Sequence, residues 1–295
     1  MEGSFIEKAR YFAIQQKRTG GNVTIHTSAI VHPTAHICAE TEIGPEAIIE
    51  RNVTVGAETT IAARVVIGEG SRIGKSCRIF ESAKIGVVPK SSAPKGKRIG
   101  FVMGDENIVQ ECAVLERGIT GKTIVGDRNL FMANSRVGPD CAIGDNVVLA
   151  VGATLAGRNN IGDYAVLGGL AAVDSSCRIG THALVTAASR VSRDIPPYML
   201  ASGTPARLFG VNGAALRNRG FPEDKLVQLE RAYNIIFGAR HSLRIAVKKL
   251  AAEGLSEIKE IQEIIKFIQD AQKSAHPGGG GKPRGRSPRS FKTKS

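Results

Sequence analysis

The chain has 295 residues, with 34 glycines, no tryptophan and 5% aromatic residues, so aliphatic side chains must supply any core. It contains no run of about 18 apolar residues, which argues against a membrane-spanning helix, and an odd count of five cysteines argues against a disulfide framework. The net charge of +13 points to an anionic partner such as a nucleotide sugar, an acidic carrier protein, nucleic acid or a membrane surface. Residues 277–295 hold six Lys/Arg and no acid, so the remainder carries only about half of that excess.

In chain order, residues 1–22 read as an N-terminal helical extension. Ser4 and Glu7 have capping-box spacing, and Phe5, Ala9, Phe12 and Ala13 make one apolar face. Charges stand where a signal peptide needs an apolar stretch, so a cytoplasmic location is expected.

Residues 23–200 are dominated by a repeat. An aliphatic returns every six positions at Ile25, Val31, Ile37, Ile43, Ile49, Val55, Ile61, Ile67, Ile73, Ile79 and Ile85. After a break the register resumes at Val125 and continues through Phe131, Val137, Ile143, Leu149, Leu155, Ile161, Leu167, Val173, Ile179, Val185 and Val191. Four residues after the aliphatic the side chain is mostly small or β-branched, as at Ala29, Ala35, Thr41, Ala47, Ala153, Ala165 and Ala171. A period of six fits neither a helix nor simple strand alternation. It fits a short strand plus a turn, three of which close a triangular coil of 18 residues stacked on the next. The fold class is therefore mainly β: a left-handed parallel β-helix of hexapeptide repeats followed by a C-terminal α-helical region. Glycines after the aliphatic, as at Gly44, Gly68, Gly74, Gly138 and Gly180, suit tight corners that need positive φ.

Two stretches interrupt the coils and read as excursion loops, 87–107 and 118–124; such loops often carry function. Cys77, Cys141 and Cys177 fall at the small inward position, as does Cys112 if Ile108 opens a further hexad, while Cys38 is uncommitted. Residues 201–275 form a helical region. One run starts at Pro222, with Leu226, Leu229, Ala232, Tyr233 and Ile236 on a face, and a second covers about 256–275, with Ile258, Ile261, Ile264, Ile265 and Ile268. Residues 276–295 form a disordered basic tail.

Several segments carry a more specific likeness. DIPPYMLASGTPARLFGVNGAALRNRGF at 194–221, NLFMANSRVGPDC at 129–141, ATLAGRNNIGDYAVLGG at 153–169 and VHPTA at 31–35 resemble the matching stretches of the UDP-N-acetylglucosamine O-acyltransferase family of lipid A synthesis. The similarity runs from about residue 25 to about 240. It implies a homotrimer with sites in clefts between neighbouring subunits. It also implies an acyl chain donated by acyl carrier protein to the 3-hydroxyl of the sugar. No cofactor is expected, and no metal, since the spacing of His26, His32 and His36 does not stack them on one face.

The departures concern the site. The position matching the family's histidine general base is Pro139, ahead of Asp140 and Cys141. Other family histidines are matched by Arg136, Arg158 and Asp174, and the His-Arg-Gly run appears as Glu116-Arg117-Gly118. The excursion loop lacks the Gln-Asp-Leu-Lys-Tyr run. Of the family's paired arginines, one is matched by Asn218 and the other is kept as Arg219. His182 matches a framework histidine; His26, His32 and His36 lie in the first coils, and His241 and His276 in the helices and tail.

Candidate catalytic carboxylates are thus Asp140, Asp174 and Glu116. Ligand-binding candidates are Arg136, Arg158, Arg219, Asn134 and Ala187. Asp140 and Arg158 stand one coil apart at the same offset, a spacing that suits an ion pair. Three readings stay open: a divergent member that binds a nucleotide sugar or acyl carrier without the parent activity, an active transferase using a carboxylate base on another sugar or donor, and a structural hexapeptide subunit. Nucleic acid is an unlikely partner.

Overall fold

The computed structural model describes residues 22–89, 100–238 and 242–273. The expected helix at 4–18, part of the first excursion, His241, and the basic tail with His276 lie outside the described residues.

The hexads fold as read. Two-residue strands stack into three parallel sheets that form the faces of a left-handed β-helix. The first face starts at Thr24–Ile25, the second at Ile30–Val31 and the third at His36–Ile37. Each strand pairs with the one 18 residues on, as in Thr24↔Glu42, Ile30↔Ile48 and His36↔Thr54. The second residue of each strand points inward, so Val125, Ile143 and Ile161 lie in register and are almost fully buried. The offset residue is small because the triangle narrows there; Ala47, Ala153, Ala165 and Ala171 are fully buried.

The corners differ from the expectation. Positive φ is carried by ordinary residues, among them Glu58, Asn134, Asp140, Tyr164 and His182, and not by Gly44, Gly68, Gly74, Gly138 or Gly180. Those glycines answer a different need, the approach of the next coil. A Cβ on Gly68 would lie 2.2 Å from the Gly86 carbonyl oxygen.

The break in the register is also shorter than the sequence suggested. Phe101–Met103 forms a third-face strand inside the expected 87–107 loop, with Phe101 and Met103 buried. Their bulk hid them from a search for branched aliphatics. Ile108 points outward and Val109 inward, so Cys112 falls on an exposed corner at φ 56° and is not an inward filler. Cys77, Cys141 and Cys177 are buried, and burial pushes the latter two thiols up to about 12, which removes them as nucleophiles.

The last coil ends in a hairpin, Met199–Gly203 against Ala206–Val211, which extends the first face. Four helices follow: α1 (Gly213–Asn218), α2 (Glu223–Tyr233), α3 (Leu243–Ala252) and α4 (Lys259–Lys273), with a π-helical turn at Asn234–Gly238 after α2. Leu226, Leu229, Ile236, Leu250, Ile261 and Ile264 bury their common side. The helices are fixed to the coils by Arg178. Its Nε donates to Asp194 at 2.8 Å, its Nη2 donates to the Phe267 carbonyl at 2.9 Å, and its guanidinium lies 4.2 Å from the Phe267 ring centroid. The Tyr198 hydroxyl donates to Glu263. Among the described residues no helix is long and apolar enough to cross a membrane.

Candidate functional site

Five of the candidates gather on the second face and the corner where the chain leaves it: Glu116, Arg136, Asp140, Arg158 and Asp174. Arg136 opens a second-face strand and pairs across to Val114. Glu116 reaches the same place through an irregularity. The register slips between Ile85 and Val87, so that Val87 faces Glu116. The extra residue is Gly86, at φ 66°, and a Cβ there would lie 1.9 Å from the Ser71 hydroxyl oxygen. This bulge turns Glu116 out of the coil's normal alternation and into the protein. Glu116 is 4% exposed, and its carboxylate forms an ion pair with Arg136. Burial raises the Glu116 carboxyl above its ordinary value, and Arg136 opposes that rise.

Asp140 is held by the short loop that precedes it in the coil below. The backbone N–H groups of Ile119 and Gly121 donate to its carboxylate at 2.8 Å, the Thr120 N–H at 3.1 and 3.2 Å, and the Thr120 hydroxyl at 2.9 Å. Burial works to raise its carboxyl, but the hydrogen bonds from Gly121, Thr120 and Ile119 outweigh it and hold the group below the usual range. The expected pair with Arg158 does not form. Arg158 takes the stacked position, with its N–H donating to the Pro139 carbonyl at 2.8 Å, but its Nε donates onward to the Ser176 hydroxyl at 3.2 Å. The loop amides claim the carboxylate because they converge on it without ordering a long side chain. Pro139 fits because Gly157 faces it, where a Cβ would lie 3.2 Å from the proline ring. Asp174 accepts from Arg190 at 3.2 Å, a half-exposed pair.

The other candidates stand apart. Asn134 and Ala187 are exposed at the corner where the chain enters the second face. Arg219 lies at the third corner, between the third and first faces. There Tyr164 and His182 stack with ring planes 1° apart and centroids at 4.7 Å, followed by Tyr198, with Phe221 edge-on to His182. Arg219 bonds His182 Nδ1 at 3.1 Å and lies 5.1 Å from the Tyr164 centroid. Burial, with Arg219 adding to it, lowers the His182 imidazole to about 4, so it is neutral at pH 7. Sequence reasoning left this cluster out, although the 18-residue spacing of Tyr164 and His182 announces it. The buried Glu116–Arg136 pair was also missed, since nothing local to Glu116 marks the bulge at Gly86.

The arrangement brings cations and engaged carboxylates together beside a proline. A guanidinium stays protonated near neutral pH and does not act as a base. Each of the three acids already has a partner.

Comparison with known proteins gives a consistent picture. Residues 194–276 match the family model described as UDP-N-acetylglucosamine O-acyltransferase, domain 2, and residues 122–157 match the bacterial transferase hexapeptide model. The chain is 40% identical over 253 residues to the acyl-[acyl-carrier-protein]–UDP-N-acetylglucosamine O-acyltransferase of Thiobacillus denitrificans, covering 85% of this chain and 98% of that protein. It is 40% identical over 232 residues to the protein of the same name from Herminiimonas arsenicoxydans, covering 78% and 88%. Among solved structures, the UDP-N-acetylglucosamine acyltransferase from Bacteroides fragilis superposes with a TM-score of 0.81 at 34% identity, covering 84% of this chain and 97% of that one.

Proposed function

Since this chain belongs to the UDP-N-acetylglucosamine O-acyltransferase family, we propose that it binds the ligands in its relatives' names, an acyl carrier protein and UDP-N-acetylglucosamine, without the parent acyl transfer. The observation that supports this is the site itself. The sequence resemblance sets Pro139 at the position of the family's base, Asp140 is saturated by hydrogen bonds and held below the usual carboxylate range, and Glu116 is covered by Arg136. Base catalysis needs a group within hydrogen-bond reach of the sugar hydroxyl and with a pKa near the working pH.

The outer surface supports a homotrimer. In the C-terminal coils the outward residues of the first face are all apolar: Ile108, Leu130, Val148, Val166, Leu184 and Leu200. At the corner between the first and second faces, Leu170 is 71% and Val151 46% exposed. If three parallel coils pack first face against second face with that corner on the axis, the outer edge of each interface joins the Arg219 corner of one copy to the Asp140 and Arg158 corner of the next. The separated candidates then line one cleft. A trimer weighs about 94 kDa (3 × 31.2 kDa). Sedimentation should show that mass and Leu184→Glu should reduce it; a stable parent monomer at micromolar concentration would refute the assembly.

A second reading is a working acyltransferase on a different sugar or donor, and two observations favour it. The relatives are named as enzymes at 40% identity over most of this chain, and Glu116 has the raised carboxyl that a buried base requires. Equilibrium titration of the purified protein with UDP-N-acetylglucosamine and with acyl carrier protein, with turnover scored in the same samples, separates the two. Saturable binding without turnover is the expected result. Turnover that Glu116→Gln alone abolishes would establish the second reading.

A further inference from the structure

The first four coils carry an apolar row on the second face that the proposed trimer would leave without an apolar partner. On the first face their outward residues are Thr24, Glu42, Thr60 and Arg78, and on the third face His36, Thr54, Arg72 and, in the fourth coil, Val102. The second face is different: Ile30, Ile48 and Val66 point outward before Lys84 ends the row. Ile30 is 40% and Ile48 38% exposed, and they form the floor of a concavity of about 430 Å³ whose rim includes Glu50, Arg51 and Glu69. In a trimer with parallel axes, residues at one level meet residues at the same level. This row would then face Thr24, Glu42 and Thr60 of the neighbour, a polar surface that gives it no apolar partner.

We propose that the occupant of this groove is residues 4–18 of the same chain. Three features of the sequence select that segment. First, it places Phe5, Ala9, Phe12 and Ala13 at helical spacing on one side. Second, it reaches. A helix of 15 residues is about 22 Å long, against a row of three strands that spans about 10 Å, and the residues joining it to Thr24 extend to about 20 Å, enough to pass from the first face to the second at the same end of the coils. Third, it carries Lys8, Arg10, Lys17 and Arg18 against one acid, Glu7, while the rim of the groove has two carboxylates and one arginine, already paired to Glu69. The segment precedes the part of the chain that resembles the acyltransferase family, so its docking is a property of this protein and rests on neither reading of the site.

The chain has no tryptophan, so Phe12→Trp supplies a single reporter. The expected result is blue-shifted emission shielded from acrylamide. In the background of Ile30→Asp with Ile48→Asp, emission should move to that of solvated indole and the shielding should disappear, while far-ultraviolet circular dichroism of the coils is unchanged because both positions point outward. Co-assembly of Phe12→Trp chains with an excess of Ile30→Asp/Ile48→Asp chains should leave the shielding intact. Solvent-like emission in the otherwise native chain, shielding that survives both groove substitutions, or shielding lost on co-assembly, which would assign the groove to a neighbouring copy's segment, would each overturn the proposal.

Discussion

The two halves of the β-helix share one interior and exchange their exteriors. From Thr24 to Val87 the first face is polar outside and the second face begins apolar; from Ile108 to Leu200 the first face is apolar outside and the second carries Arg136, Arg190 and the acids they engage. Inside, Ile49 of the early coils and Ile161 of the late ones occupy equivalent places and are equally buried. The interior position is fixed by stacking, whereas the outward position of the same two-residue strand is free to vary. What distinguishes the two halves is therefore carried by the outward residue of each otherwise uniform two-residue strand.

The largest expected effect tests the shared interior. Ile161→Ala and Ile49→Ala should each destabilise by about 2–5 kcal/mol in denaturant unfolding, because each leaves a cavity in a stacked column. Equal costs in the two halves would support one common core, and a loss within error in either would show that the column is not continuous there. Next comes the charged exterior of the late coils. Arg136→Met leaves the Glu116 carboxylate buried and unpaired, and should cost about 2–3 kcal/mol at pH 7, less than a fully buried pair because Arg136 is half exposed. With the carboxyl raised further, the folded state binds the proton more tightly than the unfolded one. The cost should then shrink as the pH falls below neutral, and Glu116→Gln should recover most of it.

How far the sequence reveals this division follows from the same logic. Inward positions are legible because a six-residue period leaves one aliphatic per strand; across the break between Ile85 and Val125 the search missed Phe101, Met103, Val109 and Leu115, all buried. Outward contacts are legible only where nothing competes. Spacing placed Asp140 and Arg158 on adjacent coils, and they do stack, but the amides of Ile119, Thr120 and Gly121 take the carboxylate. Glu116 is buried by a slip of register 30 residues earlier in the chain, at Gly86. Pairing by the 18-residue coil does expose the stacked Tyr164 and His182.

Smaller effects sharpen the contrast at the corners. Asp140→Asn should cost about 1–2 kcal/mol, since it weakens charge-assisted hydrogen bonds to the loop, and should speed amide exchange at Ile119, Thr120 and Gly121. Unchanged exchange there would mean that the loop is held by something else. His182 gives the smallest shift. Its imidazole is lowered to about 4 in the fold against about 6.5 unfolded, so the unfolded chain binds more protons between those values and stability falls as the pH drops through that window. His182→Asn should remove that acid-side slope, on the order of 1 kcal/mol once solvent screening is discounted. A slope that persists in the variant would place its origin elsewhere.

The central question is whether the exterior of the second face supports chemistry. A single-turnover experiment tests this most directly: protein in excess over labelled hydroxyacyl carrier protein, at saturating UDP-N-acetylglucosamine, followed by the transfer of label to the sugar. If Pro139 stands in for the family's base, as we propose, transfer should be absent or only a trace, since loss of a general base costs about 10²–10⁴-fold. A rate in the ordinary enzymatic range, about 1–10³ per second, would contradict the account and show that another group in the cleft has taken the proton.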